Sequence, residues 1–261
     1  MQDILAVISG SLVGFVLGLV GGGGSIIAVP LLLYVVGVTS THLAIGTSAI
    51  AVSLSALANL VNHARQGRVK WPCAATFSAA GIAGAWAGSS LAIRIPGDQL
   101  LALFGILMVV VGAVMLLRKD ADGNPDVRLS FSTASQLLPL LLAIGFAVGA
   151  LAGFFGIGGG FLIVPGLMLA TGMPIAYAIG TSLVAVAVFG ATTAANYALS
   201  GMVDWRIAAM FVGGGIVGGL LGTWAGSRLA GRKGLLSTIF AGFVILIGIY
   251  VSWKGLSTLF G

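Results

Sequence analysis

The feature that most constrains this chain is a cluster of glycines that occurs twice, within sequence that is otherwise almost entirely apolar. Residues 21–30 read GGGGSIIAVP, and residues 156–165 read GIGGGFLIVP. A membrane helix cannot run smoothly through such a stretch, because hydrocarbon offers no partner to the backbone groups that the break leaves unpaired. Paired breaks in the two halves of a membrane protein are typical of a transporter binding site.

The composition predicts that the bilayer is the solvent. Of 261 residues, 59% are hydrophobic and 7% are charged, whereas about 25% of the residues of a soluble domain are charged. The net charge of +6 comes from basic residues in short loops between apolar runs, which indicates positive-inside topology and argues against nucleic-acid binding. Asp3 and the absence of a basic residue before the first apolar run favour an N-terminus that belongs to the mature fold.

The glycine clusters belong to a repeat that spans nearly the whole chain. The sequence AIGTS occurs at residues 44–48 and again at 178–182, displaced by 134. Residues 62–71 and 196–205 are identical at five of ten positions, and WAGS at 86–89 recurs 138 residues later. The chain is therefore predicted to consist of two homologous membrane repeats.

The joint between the repeats lies in the longest polar stretch. It contains three of the six aspartates together with Gly, Asn and Pro, which are typical of loops. We predict a first membrane repeat over residues 1–120, a cytoplasmic linker over 121–131 and a second membrane repeat over 132–261.

Each half contains five apolar segments, of which the second is too short to cross comfortably. Twelve residues of helix reach only ~18 Å against a hydrocarbon core of ~30 Å. Segments one and two therefore form either a hairpin that bends at the glycines or one broken crossing. In the first half the five segments are 4–20, 26–37, 42–63, 71–93 and 98–117.

The distribution of Lys and Arg favours the hairpin. With hairpins the second half is inverted, and the twelve basic residues divide nine to three between the two sides, whereas single broken crossings divide them eight to four. The positive-inside rule prefers the sharper division. The sequence thus predicts an all-α polytopic membrane protein with inverted repeats. Each repeat has a Gly-broken hairpin plus three spanning helices, the linker is cytoplasmic, and both termini lie outside.

These doubled motifs resemble those of the sulfite exporter TauE/SafE family, over roughly the whole chain. The glycine-to-proline stretch, the Gly-Thr-Ser sequence and the loop from Asn to Gly to Trp carry the resemblance. It implies a multi-pass permease of the bacterial inner membrane for small sulfur-containing anions, such as sulfite or organosulfonates. Its expected partners are a small anionic substrate and the lipid bilayer, with no nucleic acid; a homo-oligomer is compatible.

The two glycine clusters are the predicted substrate site. If the hairpins bring them together, free N–H groups and the positive ends of the following short helices would face an anion without any charged side chain. In this prediction 25–29 and 160–164 are extended, and Pro30 and Pro165 open the short helices as structural breaks. The alternative is that the glycines only allow close helix packing. The cluster residues concerned are Gly21, Gly22, Gly23, Gly24, Ser25, Gly156, Gly158, Gly159 and Gly160.

Four hydroxyl residues near the starts of long helices are further candidates: Thr47, Ser48, Thr181 and Ser182. They would donate to an oxyanion or coordinate Na⁺, or alternatively bond back to their own helices. Asn62 and Asn196 lie at the far ends of the same helices and are expected to give polar support, as caps or interhelical bonds.

The sequence also bears on other classes of function. The chain has no glutamate, and its aspartates all lie near segment ends or in the linker, so no intramembrane carboxylate is available for proton coupling. Ser48 and His63 are the only conceivable hydrolytic pair, but 15 residues of helix separate them by roughly 22 Å. No catalytic, metal or cofactor site is predicted, and the protein is expected not to be an enzyme. The alternative function is a passive channel or facilitator for a small solute.

Overall fold

The computed structural model describes residues 1–20, 22–117, 134–228 and 233–260, and these form helices with no strand among them. The predicted all-α fold is confirmed, whereas the predicted linker 121–131 lies outside the described residues. In chain order the α-helices are α1 Gln2–Val20, α2 Ala28–Leu31, α3 Thr41–Arg65, α4 Trp71–Ala92, α5 Gly97–Leu117, α6 Ala134–Phe155, α7 Gly160–Thr171, α8 Ile175–Leu199, α9 Trp205–Arg228 and α10 Lys233–Phe260.

The first half begins with a hairpin that bends at the glycine cluster. A 3-10 helix, Gly22–Ile27, follows α1 and leads through α2 into a π-helical turn, Leu32–Val36. A Cβ atom at Gly24 would lie 2.5 Å from the main-chain nitrogen of Leu17, and one at Gly37 would lie 4.0 Å from Nε2 of Gln2. The segment therefore runs back along α1, from its end to its start.

The second half begins with the corresponding hairpin of α6 and α7. A Cβ atom at Gly159 would overlap the side chain of Ala152, near the end of α6. Further along α7, a Cβ atom at Gly166 would lie 3.1 Å from Cγ2 of Ile144, a position earlier in α6. The two helices are thus antiparallel neighbours, and in both halves the hairpin, and not the single broken crossing, is observed.

Helices α3 and α8 cross at the centre of the bundle and run antiparallel. Ser53 of α3 donates a hydrogen bond from Oγ to the carbonyl oxygen of Ala187 in α8 at 2.7 Å. One turn away, a Cβ atom at Gly190 would lie 3.0 Å from the carbonyl oxygen of Ala49. Positions 53 and 187 are equivalent in the repeat, so an approximate two-fold axis passes through this contact. Because the equivalent helices α3 and α8 run antiparallel, they favour the inverted arrangement of the two halves. The orientation of the halves in a bilayer stays a prediction.

Two outer helix pairs each join a helix of one half to a helix of the other. Helix α1 packs on α9, and α4 packs on α6. Glycines line both contacts, which lets the backbones approach closely. A Cβ atom added at one of these glycines would lie within 3 Å of the backbone of the opposing helix. This holds for Gly14, which faces Gly215, and for Gly149, which faces Gly81. Helices α5 and α10 form a third pair at the edge.

Within the described part of the chain, six helices are long and apolar enough to cross a membrane, in agreement with a multi-pass membrane protein. They are Gln2–Leu19, Thr41–Arg65, Gly97–Val114, Ser135–Phe155, Ile175–Leu199 and Trp205–Gly226. The bundle has two ends, which we name after residues there. Helix α3 begins at the Asp204 end, where Asp204 contacts Thr47 and Arg206 pairs with Asp3. It ends at the Lys70 end, where the α3–α4 loop contacts the start of α8.

Candidate functional site

The two predicted glycine breaks form the bends of the two hairpins. The 3-10 helix Gly22–Ile27, which contains the described glycines of the first break, packs against α7, which begins at Gly160 of the second break, and also contacts the central helix α8. Ser25, next to the first cluster, is fully buried. Gly21 lies outside the described residues, and for Gly22 and Gly23 only the helical placement is described. The structure thus packs the segment that contains the first cluster against the helix that begins at the second.

The second break is an irregular turn that only glycines accommodate. Gly156, Gly158 and Gly159 have φ values of 66°, 62° and 66°, in the left-handed region that L side chains rarely adopt. A Cβ atom at Gly158 would lie 3.1 Å from Cγ1 of Val52 and 3.2 Å from Cγ1 of Val186. Those valines occupy equivalent positions in the two halves. Gly158 therefore sits where the two halves meet.

The prediction that 25–29 and 160–164 are extended is wrong. Residues 25–29 lie in the 3-10 helix and the start of α2, and residues 160–164 are the first five residues of α7. Gly159 is the N-cap residue of α7, and its carbonyl oxygen accepts from the N–H groups of Leu162 and Ile163 at 2.8 and 2.9 Å. The β-branched residues of the two stretches favour strands. An isolated extended segment in a membrane interior would, however, leave its backbone groups unpaired.

The two prolines differ in how far they lie from the starts of their helices. Pro30 is the third residue of α2, within its first turn as predicted. Pro165 is the sixth residue of α7 and lies deeper than predicted, because this helix begins at Gly160 itself. Pro165 cannot donate to the carbonyl oxygen of Phe161, which weakens α7 in its middle. The returning segment of the first hairpin is irregular beyond Pro30, where α2 passes into the π-helical turn Leu32–Val36.

The two threonines of the Gly-Thr-Ser motifs accept hydrogen bonds from loops of the opposite half. The N–H of Asp204 donates to Oγ1 of Thr47 at 3.0 Å. The N–H of Lys70 donates to Oγ1 of Thr181, also at 3.0 Å. Both threonines are fully buried. Their oxygens are therefore engaged in holding the two halves together at opposite ends of the bundle.

The two serines bond back to their own helices, as the alternative interpretation expected. Oγ of Ser48 donates to the carbonyl oxygen of Ile45 at 2.9 Å, and Oγ of Ser182 to that of Ile179 at 2.8 Å. Ser48 also lies 3.2 Å from the carbonyl oxygen of Gly156 in the second break. The hydroxyl of one half is thus in direct contact with the glycine break of the other.

Comparison with known proteins decides the family. The family model of the sulfite exporter TauE/SafE family matches residues 6–251 of the chain. The chain belongs to the TauE/SafE family. As a member of it, the protein is a membrane transporter, which agrees with the expectation that it is not an enzyme.

Two relatives of this TauE/SafE member are similar to it over nearly their whole lengths. A probable membrane transporter protein of Xylella fastidiosa (strain 9a5c) is 50% identical over 260 residues, covering 99% of this chain and 98% of the relative. The probable membrane transporter protein YunE of Bacillus subtilis (strain 168) is 27% identical over 273 residues, covering 98% of this chain and 99% of the relative. No solved structure matches the chain with significance.

Asn196 supports the bundle of this TauE/SafE transporter by an interhelical contact. Its Nδ2 lies 2.8 Å from Oγ of Ser89 and 2.9 Å from Oγ of Ser90, both on α4. Asn62, its equivalent on α3, is only partly buried, and its main-chain oxygen accepts from Gln66 at the end of the helix. The predicted polar support is therefore an interhelical bond at Asn196.

Replacing Asn196 by leucine is expected to lower the stability of the TauE/SafE protein by about 1 kcal/mol, the usual strength of interhelical hydrogen bonds in membranes. For a protein of this size that corresponds to roughly 2–4 °C in Tm. Asn62→Leu is the matched control and should change the Tm much less. Thermal unfolding of both purified variants measures the difference; equal losses would contradict the role given to Asn196.

The candidate site of this family member is closed in the structure. Ser25, Thr47, Ser48, Thr181 and Ser182 are all 0% exposed. A cavity of about 340 Å³ opens elsewhere, at the Asp204 end, and none of the predicted site residues lines it; its lining residues are Met1, Gln2, Asp3, Asp204, Arg206 and Ile207. The structure thus corresponds to a state in which the glycine breaks are sealed from both ends.

Proposed function

We propose that this protein transports small sulfur-containing oxyanions, such as sulfite or organosulfonates, bound between the two glycine breaks. The observation that carries the proposal is the packing of the 3-10 helix of the first break on α7 of the second, in a member of a family described as sulfite exporters. Glycines at this place leave the backbone open to close approach by a small ligand.

The chemistry of the second break suits an anion. Gly159 is left-handed and is followed directly by the right-handed helix α7. A left-handed residue next to a right-handed one brings successive N–H groups to the same side, which forms a concave group of donors. The following helix α7 has 12 residues, and its N-terminus adds the positive end of a helix dipole. An oxyanion would accept several N–H bonds there without a charged side chain. This neutral design suits a substrate that must be released after each cycle.

Transport would proceed by alternating access. The antiparallel halves are held together by the same contacts at the two ends, so that one end can open while the other stays closed, as in other inverted-repeat transporters. We further propose that the protein lies in the bacterial inner membrane with both termini outside. This orientation places nine of the twelve basic residues of the sequence on the cytoplasmic side.

Ligand-dependent thermal stabilisation of the purified protein tests the substrate class. A ligand present at 100 times its Kd should stabilise the folded form by about 2.7 kcal/mol. We expect a Tm increase with sulfite or an organosulfonate such as sulfoacetate, and none with acetate or chloride. Absence of any increase across sulfite, thiosulfate, sulfate, sulfoacetate and taurine would contradict the proposal.

Exchange in lipid vesicles separates a carrier from a passive channel. Unlabelled substrate on the far side of the membrane should accelerate entry of labelled substrate if the site faces one side at a time. A flux that neither saturates nor accelerates would favour the channel and contradict alternating access.

A further inference from the structure

Two loops of the same shape occupy equivalent positions at opposite ends of the bundle. We call them the latch loops: residues 66–70 between α3 and α4, and residues 200–204 between α8 and α9. The second residue of each loop is a glycine in the left-handed region, Gly67 with φ 67° and Gly201 with φ 70°. The next residue donates back into the preceding helix, from Arg68 to His63 at 3.1 Å in one loop and from Met202 to Tyr197 at 2.9 Å in the other. Both loops thus leave their helix through the same glycine cap.

Each latch loop docks on the Gly-Thr pair of the other half. At the Asp204 end, the carbonyl oxygen of Met202 occupies the space that a Cβ atom would need at Gly46, and the N–H of Asp204 binds Thr47. At the Lys70 end, the carbonyl oxygen of Arg68 takes the same position at Gly180. There the N–H of Lys70 binds Thr181. The motif is glycine followed by threonine because the first residue must admit a carbonyl and the second must accept an N–H.

The loop docked at the Asp204 end is also connected to the candidate site. Ser48 follows Thr47 and contacts the carbonyl oxygen of Gly156 at 3.2 Å. A Cβ atom at Gly156 would overlap the side chain of Ile45, which precedes Gly46. Residues on both sides of the docking point therefore touch the second glycine break, and movement of the loop and rearrangement of the break are mechanically linked.

We propose that the two latch loops are the gates of the transporter, each opening one end when it leaves the Gly-Thr pair of the opposite half. This inference rests on the alternating access proposed above. Both loops are docked in the structure, which accounts for its closed site. Each docking includes one backbone hydrogen bond and one close carbonyl contact. At the Lys70 end the ammonium group of Lys70 also lies 4.6 Å from the ring centroid of Tyr177 on α8. These local contacts can be released and remade during a cycle.

A methyl group at Gly46 or Gly180 is a wedge that opens one gate only. Gly46→Ala would displace the carbonyl oxygen of Met202 at the Asp204 end, and Gly180→Ala that of Arg68 at the Lys70 end. Gly213→Ala is the matched control, because nothing lies within 4 Å of a Cβ atom at this helical position.

The chain supplies equivalent reporters for the two ends. Cys73 is the single cysteine of the sequence; it is fully buried three residues beyond Lys70. Its repeat equivalent is Ile207, 7% exposed and three residues beyond Asp204. The first reporter is the natural Cys73, and the second is Ile207→Cys in a Cys73→Ser background. The rate of reaction with N-ethylmaleimide then measures the opening of each end.

We expect a crossed pattern, in which the alanine variant of one half accelerates labelling of the reporter in the other half at the same end of the bundle. Gly180→Ala should raise the labelling rate of Cys73, and Gly46→Ala that of the cysteine at 207, each on the order of tenfold, since one excess methyl group commonly shifts an equilibrium by about that factor. Neither wedge should accelerate the reporter at the other end. Equal responses at both ends, or responses no larger than that of Gly213→Ala, would overturn the proposal.

A second pair of variants tests the gates if Gly46→Ala or Gly180→Ala does not fold. Thr47→Val and Thr181→Val remove the hydroxyl acceptor at nearly constant volume, whereas the corresponding serine variants keep it. The valine variants should reproduce the crossed pattern and the serine variants should match the wild type; any other pattern overturns the gates. Labelling needs no substrate, so a protein with gated ends that sulfite does not stabilise would refute the proposed substrate while leaving the gates intact.

Discussion

Replacing Gly158 by leucine is expected to abolish transport in lipid vesicles while leaving membrane insertion intact. Two effects add at this position. The φ of 62° disfavours any L side chain by about 1–2 kcal/mol. The new side chain would also be forced between Val52 and Val186, both of which lie within 3.2 Å of its Cβ atom. The two halves would be pushed apart where the proposed substrate binds.

Gly172→Leu separates these two effects. Gly172 also has a left-handed φ, 69°, but nothing lies within 4 Å of a Cβ atom there. This control carries the same backbone strain without the crowding, and it should retain most of the flux. Uptake of labelled sulfite per inserted protein is the measurement. Normal transport by Gly158→Leu would remove the second break from the proposed site, and equal loss in both variants would attribute the effect to backbone strain.

Replacing Gly149 by leucine is expected to prevent stable folding. A Cβ atom here would lie 2.6 Å from Cα of Gly81 on α4, so the two backbones would have to separate along the whole α4–α6 contact. Overpacking a rigid contact costs about 1–3 kcal/mol and occasionally more, and here no flexible side chain can yield. We expect a Tm about 10 °C lower, or no monodisperse protein at all.

Gly213→Leu is the matched control for that variant. Gly213 is exposed on α9, and a Cβ atom there meets open space. A leucine at a lipid-facing position should leave the Tm and the elution profile unchanged. A similar loss in both variants would show that the added side chain itself, and not the approach of two backbones, governs the effect.

The hairpins were predictable because two local properties agree. A glycine cluster breaks the helix, and the twelve-residue segment after it is too short to cross a membrane on its own. The extended conformation was wrong because the preference of Ile and Val for strands is weak compared with the need to pair backbone groups in a bilayer. Local propensity is a poor guide wherever the solvent offers no hydrogen bonds.

The partners of the threonines were not predictable from local sequence. Thr181 and Lys70 are separated by 111 residues, and Thr47 and Asp204 by 157. A signal was nevertheless present in the repeat, since residues 62–71 and 196–205 are identical at five of ten positions. That identity includes Gly67 and Gly201, which shape the latch loops. The repeat therefore indicates a structural role for these loops, which their polar character alone did not indicate.

The two outer helix pairs constrain how such a protein could have arisen. In α1–α9 and in α4–α6, one helix of each half closes against a helix of the other, so neither half contains both members of a pair. A single half expressed alone could rebuild these contacts only by associating with a second copy of opposite orientation. The ancestor of the duplicated chain would then have been an antiparallel homodimer whose subunits inserted both ways. Fusion of two such copies would have fixed one orientation for each half and allowed their charged loops to diverge.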